Sequence, residues 1–220
     1  MHRSRSDRVC RAFAASLLWT FCSIAGAAIT DDSLTFLGVQ AGRKDTLSSV
    51  TRRLGKTEEW HTGDASTSES KICYRIKTGE GDLVVVFASN SEMANPQGQI
   101  NHIRVYASAS TFSQRKRCAS LSVGVSDLKT TSGLRVGVSP DEVQTTLGPK
   151  RTASNQSLTY SACSKQYLRK ADPYFDRWVG KSECFENPSR PYFNDCSFVE
   201  FKFNSGRATY MSLSRNQSVC

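Results

Sequence analysis

The chain has 220 residues, with 29 basic and 20 acidic side chains, a formal net charge of +9 and eight cysteines. The positive charge is spread along the chain, so it favours weak association with anionic partners and does not indicate nucleic-acid binding. Only three histidines are present, and no short Cys-x-x-Cys or His-x-x-x-His pair occurs. The usual zinc motifs are therefore excluded, and the sequence predicts no metal and no other cofactor.

The N-terminal segment predicts export. Four arginines precede an apolar stretch that ends in Ala-Gly-Ala at residue 27. A basic start, an apolar middle and a small-residue cleavage site are the parts of a secretory signal peptide, so we expect residues 1–27 to be removed. The stretch is shorter than the roughly 20 residues that span a bilayer, and no later segment approaches that length. We expect a secreted or periplasmic protein without a transmembrane segment.

The cysteine content agrees with this compartment. Two cysteines leave with the signal peptide, and six remain: Cys73, Cys118, Cys163, Cys184, Cys196 and Cys220. An even number of cysteines in an exported chain indicates up to three disulfides. Their spacing alone leaves the pairing open.

The first predicted helix runs between Thr46 and Gly55, where a valine and a leucine four residues apart face one side. Three segments rich in β-branched and aromatic residues follow it and predict strands. These segments are Lys71 to Ile76, Leu83 to Phe87 and Ile100 to Tyr106.

The same order of elements recurs in the second half of the chain. Ser139 is an N-cap, Pro140 takes the first helical position, Glu142 completes a capping box and Gly148 follows the last turn. Three further strands are predicted at Ser157 to Cys163, Phe198 to Phe203 and Ala208 to Leu213. We therefore predict an α+β fold of two tandem helix-plus-antiparallel-meander units, residues 28–125 and 126–220, with the helices packed on one face of the sheet.

A helix that ends in Val-x-x-x-Leu-Gly, followed by three strands and present twice, resembles the β-lactamase-inhibitor-protein superfamily. That superfamily includes the small lipoprotein of the bacterial outer-membrane assembly machine. The resemblance covers residues 34–118 and 132–220, but Cys22 follows the bulky Phe21 and does not fit a lipid-anchor site. It implies an exported bacterial protein whose sheet face or loops bind another protein, for example as an inhibitor. The duplicated frame also suggests three disulfides: Cys73–Cys118, Cys163–Cys220 and Cys184–Cys196.

Residues 166–196 are predicted to form an insertion between the first two strands of the second unit. Six of its side chains are candidates for partner binding: Tyr167, Tyr174, Phe175, Arg177, Trp178 and Tyr192. Long loops in compact domains are usually functional or disordered, and this one is too aromatic for disorder. Tyrosine, tryptophan and arginine are also the residues of interface hot spots. The alternative is that the rings form a small satellite core.

Two classes of function stay open. The first is a disulfide-stapled binding module that recognises another protein or an anionic envelope polymer. The second is a small secreted envelope hydrolase. His61 and His102 are the only histidines after the signal peptide, and neither lies in a Gly-x-Ser-x-Gly frame. The sequence therefore predicts no catalytic residue and favours the binding module.

Overall fold

The structure, a computed structural model, describes residues 29–42, 44–64, 68–90, 98–108, 111–149, 156–171 and 189–218. The predicted signal peptide lies outside these ranges. Among the residues that are described, no helix is both long and apolar enough to cross a membrane.

The described chain contains ten strands and two α-helices. It begins with a 3-10 helix at Asp31–Leu34 and a small two-stranded sheet. The elements in chain order are β1 (Thr35–Phe36), β2 (Val39–Gln40), α1 (Leu47–Leu54), β3 (Trp60–Thr62), β4 (Glu69–Thr78), β5 (Gly81–Asn90), β6 (His102–Tyr106), β7 (Ala119–Leu121), α2 (Pro140–Leu147), β8 (Ser157–Tyr167), β9 (Tyr192–Asn204) and β10 (Arg207–Ser218).

Both predicted helices are confirmed, together with their caps. The hydroxyl of Ser139 accepts a hydrogen bond from the Glu142 backbone N–H at 3.3 Å, and the Glu142 carboxylate accepts one from the Ser139 N–H at 2.8 Å. Thr46 and Ser49 form the same reciprocal pair before α1. Each helix has only eight residues. Their buried side chains are Leu47 and Val50 in α1 and Val143 and Leu147 in α2.

One sheet contains all the long strands. Its order is β3-β4-β5-β6-β10-β9-β8, and all these neighbours are antiparallel. The short strand β7 adds to β4 in parallel. At the centre, β6 pairs with β10, so that Ile103 lies opposite Leu213. The two halves of the chain thus meet through their last long strands, and β8 forms one edge of the sheet.

The predicted α+β class, with two helix-plus-meander units, is wrong. Strands hold 48% of the described residues, and a mainly antiparallel sheet that continues across both halves dominates the fold. The two helices span about two turns each and do not form a layer. Capping residues show where a helix begins and ends, but they carry no information on how far neighbouring strands extend. The exposed end of β8 also lacks the apolar alternation that marks a strand.

The main core lies on one face of the sheet, where the alternation of a pleated strand places every second side chain. Its largest fully buried side chains include Tyr74, Phe87, Ile103, Phe201 and Met211. A smaller cluster on the opposite face buries Trp60, Cys73, Val84 and Val86 and is flanked by Tyr106, Phe112 and Cys118.

Two disulfides are present in the described residues. Cys73–Cys118 is confirmed and joins β4 to the residue before β7. Cys163 is bonded to Cys196, directly opposite it across the β8–β9 ladder. The suggested pairs Cys163–Cys220 and Cys184–Cys196 are therefore wrong, because β8 and β9 extend further than predicted and bring Cys163 and Cys196 into register. Cys184 and Cys220 lie outside the described residues.

Candidate functional site

Two of the six candidate binding residues lie within the described ranges. Tyr167 is the last residue of β8 and Tyr192 the first residue of β9, and the two are opposite each other in the ladder. The predicted insertion at 166–196 is shorter than expected, since residues 166–167 and 192–196 are strand. The other four candidates, Tyr174, Phe175, Arg177 and Trp178, lie outside the described residues.

Tyr167 and Tyr192 form the centre of an aromatic and cationic cluster. Their rings meet edge to face, with 5.7 Å between centroids. Lys165 Nζ lies 4.5 Å from the centroid of the Tyr192 ring, and the guanidinium carbon of Arg190 lies 4.6 Å from that of Tyr167. Both cations are within the distance of about 6 Å at which a ring face attracts a positive charge. We call these four residues the aromatic tip.

The two tyrosines differ in burial. Tyr192 is only 9% exposed, whereas Tyr167 is 52% exposed. Tyr192 is thus a buried ring and Tyr167 a half-exposed one. An exposed ring that neighbouring side chains already hold in place loses little conformational entropy when a partner covers it.

An ion-pair network fixes the strands next to the tip. Arg215 of β10 donates from Nε and Nη2 to the two carboxylate oxygens of Asp195, at 2.8 and 2.6 Å, and from Nη1 to Asp31 at 2.8 Å. The hydrogen bonds to Asp195 raise the pKa of Arg215. Asp195 is 5% exposed and lies opposite Ser164 of β8. The network borders a polar groove of about 220 Å³ beside β8. Its ion pair between Arg215 and Asp195 holds β10 and β9 together next to this edge strand.

A second charged cluster lies on the face of the sheet away from the main core. Arg104 donates two hydrogen bonds to Glu69, at 2.8 and 3.2 Å, and Lys71 Nζ lies 2.7 Å from the same carboxylate. Burial alone would raise the pKa of Glu69, but these hydrogen bonds lower it. His102 lies on the same strand and the same face as Arg104, and burial, together with the charge of Arg104, lowers its pKa to about 4. His102 is therefore neutral at neutral pH, and the cluster is a set of bonded charges.

No protein-family model, curated protein or solved structure matches this chain. The resemblance to the β-lactamase-inhibitor-protein superfamily accordingly stays a prediction from the sequence motifs.

His61 and His102 are the two histidines that a hydrolase of the Ser-His-Asp kind could use as its base. The exposed His61 of β3 has its Nδ1 2.8 Å from the hydroxyl oxygen of the half-buried Ser70 of β4. Two larger grooves, of about 580 and 440 Å³, flank the connector of residues 123–135 on its α2 and α1 sides. Neither His61 nor His102 lines these two grooves or the one beside β8. Within the described ranges, no three His, Cys, Asp or Glu side chains are grouped to hold a metal ion.

Lys165 and Arg190 were not among the six predicted binding residues. A signal for Lys165 was present, since Cys163, Lys165 and Tyr167 alternate with the period of a strand and therefore share one face. Arg190 had no such signal, because its place over the Tyr167 ring depends on where the connection returns to β9.

Proposed function

We propose that this protein is an exported, disulfide-stabilised binding module whose aromatic tip contacts another protein. The observation that carries the proposal is the half-exposed ring of Tyr167, held between Arg190 and Tyr192. Tyrosine and arginine are enriched among the few residues that supply most of the free energy of binding at protein interfaces. The two disulfides are compatible with an oxidising compartment outside the cytoplasm.

The chemistry of the tip favours a protein over an anionic envelope polymer. A polymer would interact mainly with the charges of Lys165 and Arg190, and salt would screen that interaction. The Tyr167 ring adds apolar area, which contributes to binding only when a partner surface removes it from water. A protein surface can cover the Tyr167 ring with an apolar pocket and can also pair with Lys165 and Arg190 through acidic side chains at the rim of that pocket.

Photocross-linking in the producing cells tests the proposal. A photoreactive phenylalanine analogue at Tyr167 should give a discrete adduct with one partner protein. The matched control carries the same analogue at Ser205, an exposed turn residue at the other end of β9. The proposal fails if position 167 yields no adduct, or if both positions yield the same set of adducts.

A further inference from the structure

β8 is an exposed edge of the sheet. It is the last strand in the sheet order, and all seven residues from Ser161 to Tyr167 are exposed. In the described part of the chain, β9 is its only pairing partner. An edge strand presents a row of backbone N–H and C=O groups that can pair with another extended chain.

The ladder shows which backbone groups point outwards. The Leu168 N–H donates to Pro191 O at 2.9 Å, and the Phe203 N–H donates to Gln156 O at 2.8 Å. Even-numbered residues of β8 therefore form the hydrogen-bonded pairs with β9. The Cα atoms of Cys163 and Cys196 are 4.1 Å apart, which fits a non-hydrogen-bonded pair at about 4.5 Å better than a hydrogen-bonded one at about 5.5 Å. The N–H and C=O of Ser161, Cys163 and Tyr167 thus point away from β9.

β8 lacks the devices that usually protect an edge. Between Ser157 and Tyr167 there is no proline, and Lys165 is the only charged residue. The opposite side of the sheet differs, because its outer strands β3 and β7 have only three residues each. Short edge strands are one way in which proteins prevent pairing with other chains. The eleven residues of β8 are long enough to accept an added strand.

Among the described residues on and beside this end of β8, positive side chains favour an acidic added strand. Lys165 lies on β8 itself, Arg169 and Lys170 follow it, and Arg190 precedes β9; all four are exposed. The carboxylate of Asp195, across the ladder from Ser164, is buried and bonded to Arg215. Carboxylates on an incoming segment would therefore be attracted to this end of β8.

We infer that the outer edge of β8 binds an extended, acidic segment of the partner protein as an added antiparallel or parallel strand. This inference rests on the proposed function and assigns its mode of recognition. Backbone hydrogen bonds supply affinity in such strand addition, and the side chains on alternate positions supply specificity. The Cys163–Cys196 disulfide holds β8 against β9, which reduces the ordering that binding would otherwise require.

The test uses the purified full chain with its disulfides intact and a phage-displayed library of random seven-residue peptides. The selected peptides should contain Asp or Glu and lack proline. In fluorescence anisotropy, a synthetic selected peptide should bind the Ser161→Pro variant about tenfold or more weakly, because proline removes an outward N–H. Ser161→Ala keeps that N–H and should bind within about twofold of the unchanged protein. Because the Ser161 N–H does not bond β9, both variants should retain their circular dichroism spectra.

A second measurement does not depend on how the variant folds. Two versions of the selected peptide are methylated on alternate backbone nitrogens, one at the odd and one at the even positions. One version should lose binding and the other should keep it, because only every second N–H of an added strand faces β8. The inference is overturned by a failure to select peptides, by selection of basic peptides, or by equal affinity for the Ser161→Pro and Ser161→Ala proteins. A dimer of this chain that Ser161→Pro dissociates would place a second copy on the edge instead. If the cross-link from position 167 persists in the Ser161→Pro protein, strand addition is wrong while the proposed function stands.

Discussion

His102 is a half-buried side chain whose environment opposes a positive charge. It lies on β6 between Ala88 of β5 and Ser214 of β10, and the positive charges of Arg104 and Lys71 act on it. Burial and these charges lower the pKa of His102 to about 4, and Glu69 only partly offsets them. Between about pH 4 and pH 6.5 the folded protein therefore keeps this ring neutral, whereas the unfolded chain would protonate it.

The consequence is a loss of stability in mild acid. The pKa of an unfolded histidine is about 6.5, so below that pH the unfolded chain binds a proton that the folded protein does not bind. Between pH 7 and pH 5 the free energy of unfolding should fall by about 2 kcal/mol, and His102→Gln should remove most of that fall. The lowered pKa of Glu69 affects stability only at lower pH, below about 4.5.

Urea unfolding at a series of pH values measures this dependence. His61→Gln is the matched control, because His61 is exposed on β3, and it should leave the slope unchanged. Equal slopes for the His102→Gln variant and the unchanged protein would contradict the burial of a neutral ring at position 102.

At the scale of elements, Arg215 joins three parts of the chain that are distant in sequence. Its side chain bonds Asp195 on β9 and Asp31 in the first 3-10 helix, and it projects from β10. A Cβ atom on Gly42 would come within 2.5 Å of the Arg215 Cβ, and the φ of Gly42 is +73°. Only glycine leaves room for the Arg215 stem at this point. The network thus joins the first 3-10 helix to the end of the sheet that carries the aromatic tip.

Removal of Asp195 should be costly, because it leaves Arg215 partly buried without its bidentate partner. We expect Asp195→Ala to lower the free energy of unfolding by about 3 kcal/mol. Asp82→Ala is the control, since Asp82 and Arg75 are 3.8 Å apart and more exposed, and it should cost no more than about 1 kcal/mol. Chemical unfolding of both variants measures the two losses. Similar decreases in the free energy of unfolding would show that the Arg215–Asp195 pair contributes no more than an exposed ion pair.

The helices and the strand centres could be predicted from the sequence, but the strand ends and one disulfide could not. Capping residues such as Ser139 act locally, so their pattern identifies a helix without knowledge of the rest of the chain. The end of β8 depends instead on pairing with β9, which is distant in sequence. Because that pairing was predicted too short, Cys163 and Cys196 were not expected to be opposite each other.

At the scale of the whole molecule, the predicted binding region divides into a tip that the structure describes and a segment that it does not. Tyrosines at 167 and 192 could be named from composition alone, since their enrichment at interfaces is general. The outward direction of the β8 backbone could not be named, because it follows from the register with β9. The register with β9 therefore shows which side of β8 can accept another strand, and no residue type alone indicates this.

The sheet also offers a competing surface, the open face that carries Glu69, Arg104 and Tyr210. The resemblance stated from the sequence would allow a partner to bind either this face or the loops. The open face is rich in charges that are bonded to each other, as in the Arg104–Glu69 pair, whereas the tip presents an exposed tyrosine ring. The proposed binding surface is therefore the tip together with β8.

Residue-resolved amide hydrogen exchange, measured by NMR on the free protein and on its complex with the cross-linked partner, tests this placement most directly. In the free protein, the amides of Ala162 and Ser164 should be protected by β9, while those of Ser161, Cys163 and Tyr167 should exchange fast. In the complex, the second group should become protected as well. Chemical-shift changes that centre on the open face, at Arg104 and Tyr210, with the exchange of the β8 amides unchanged, would contradict this placement, because the amides of these two central-strand residues are already paired in the free protein.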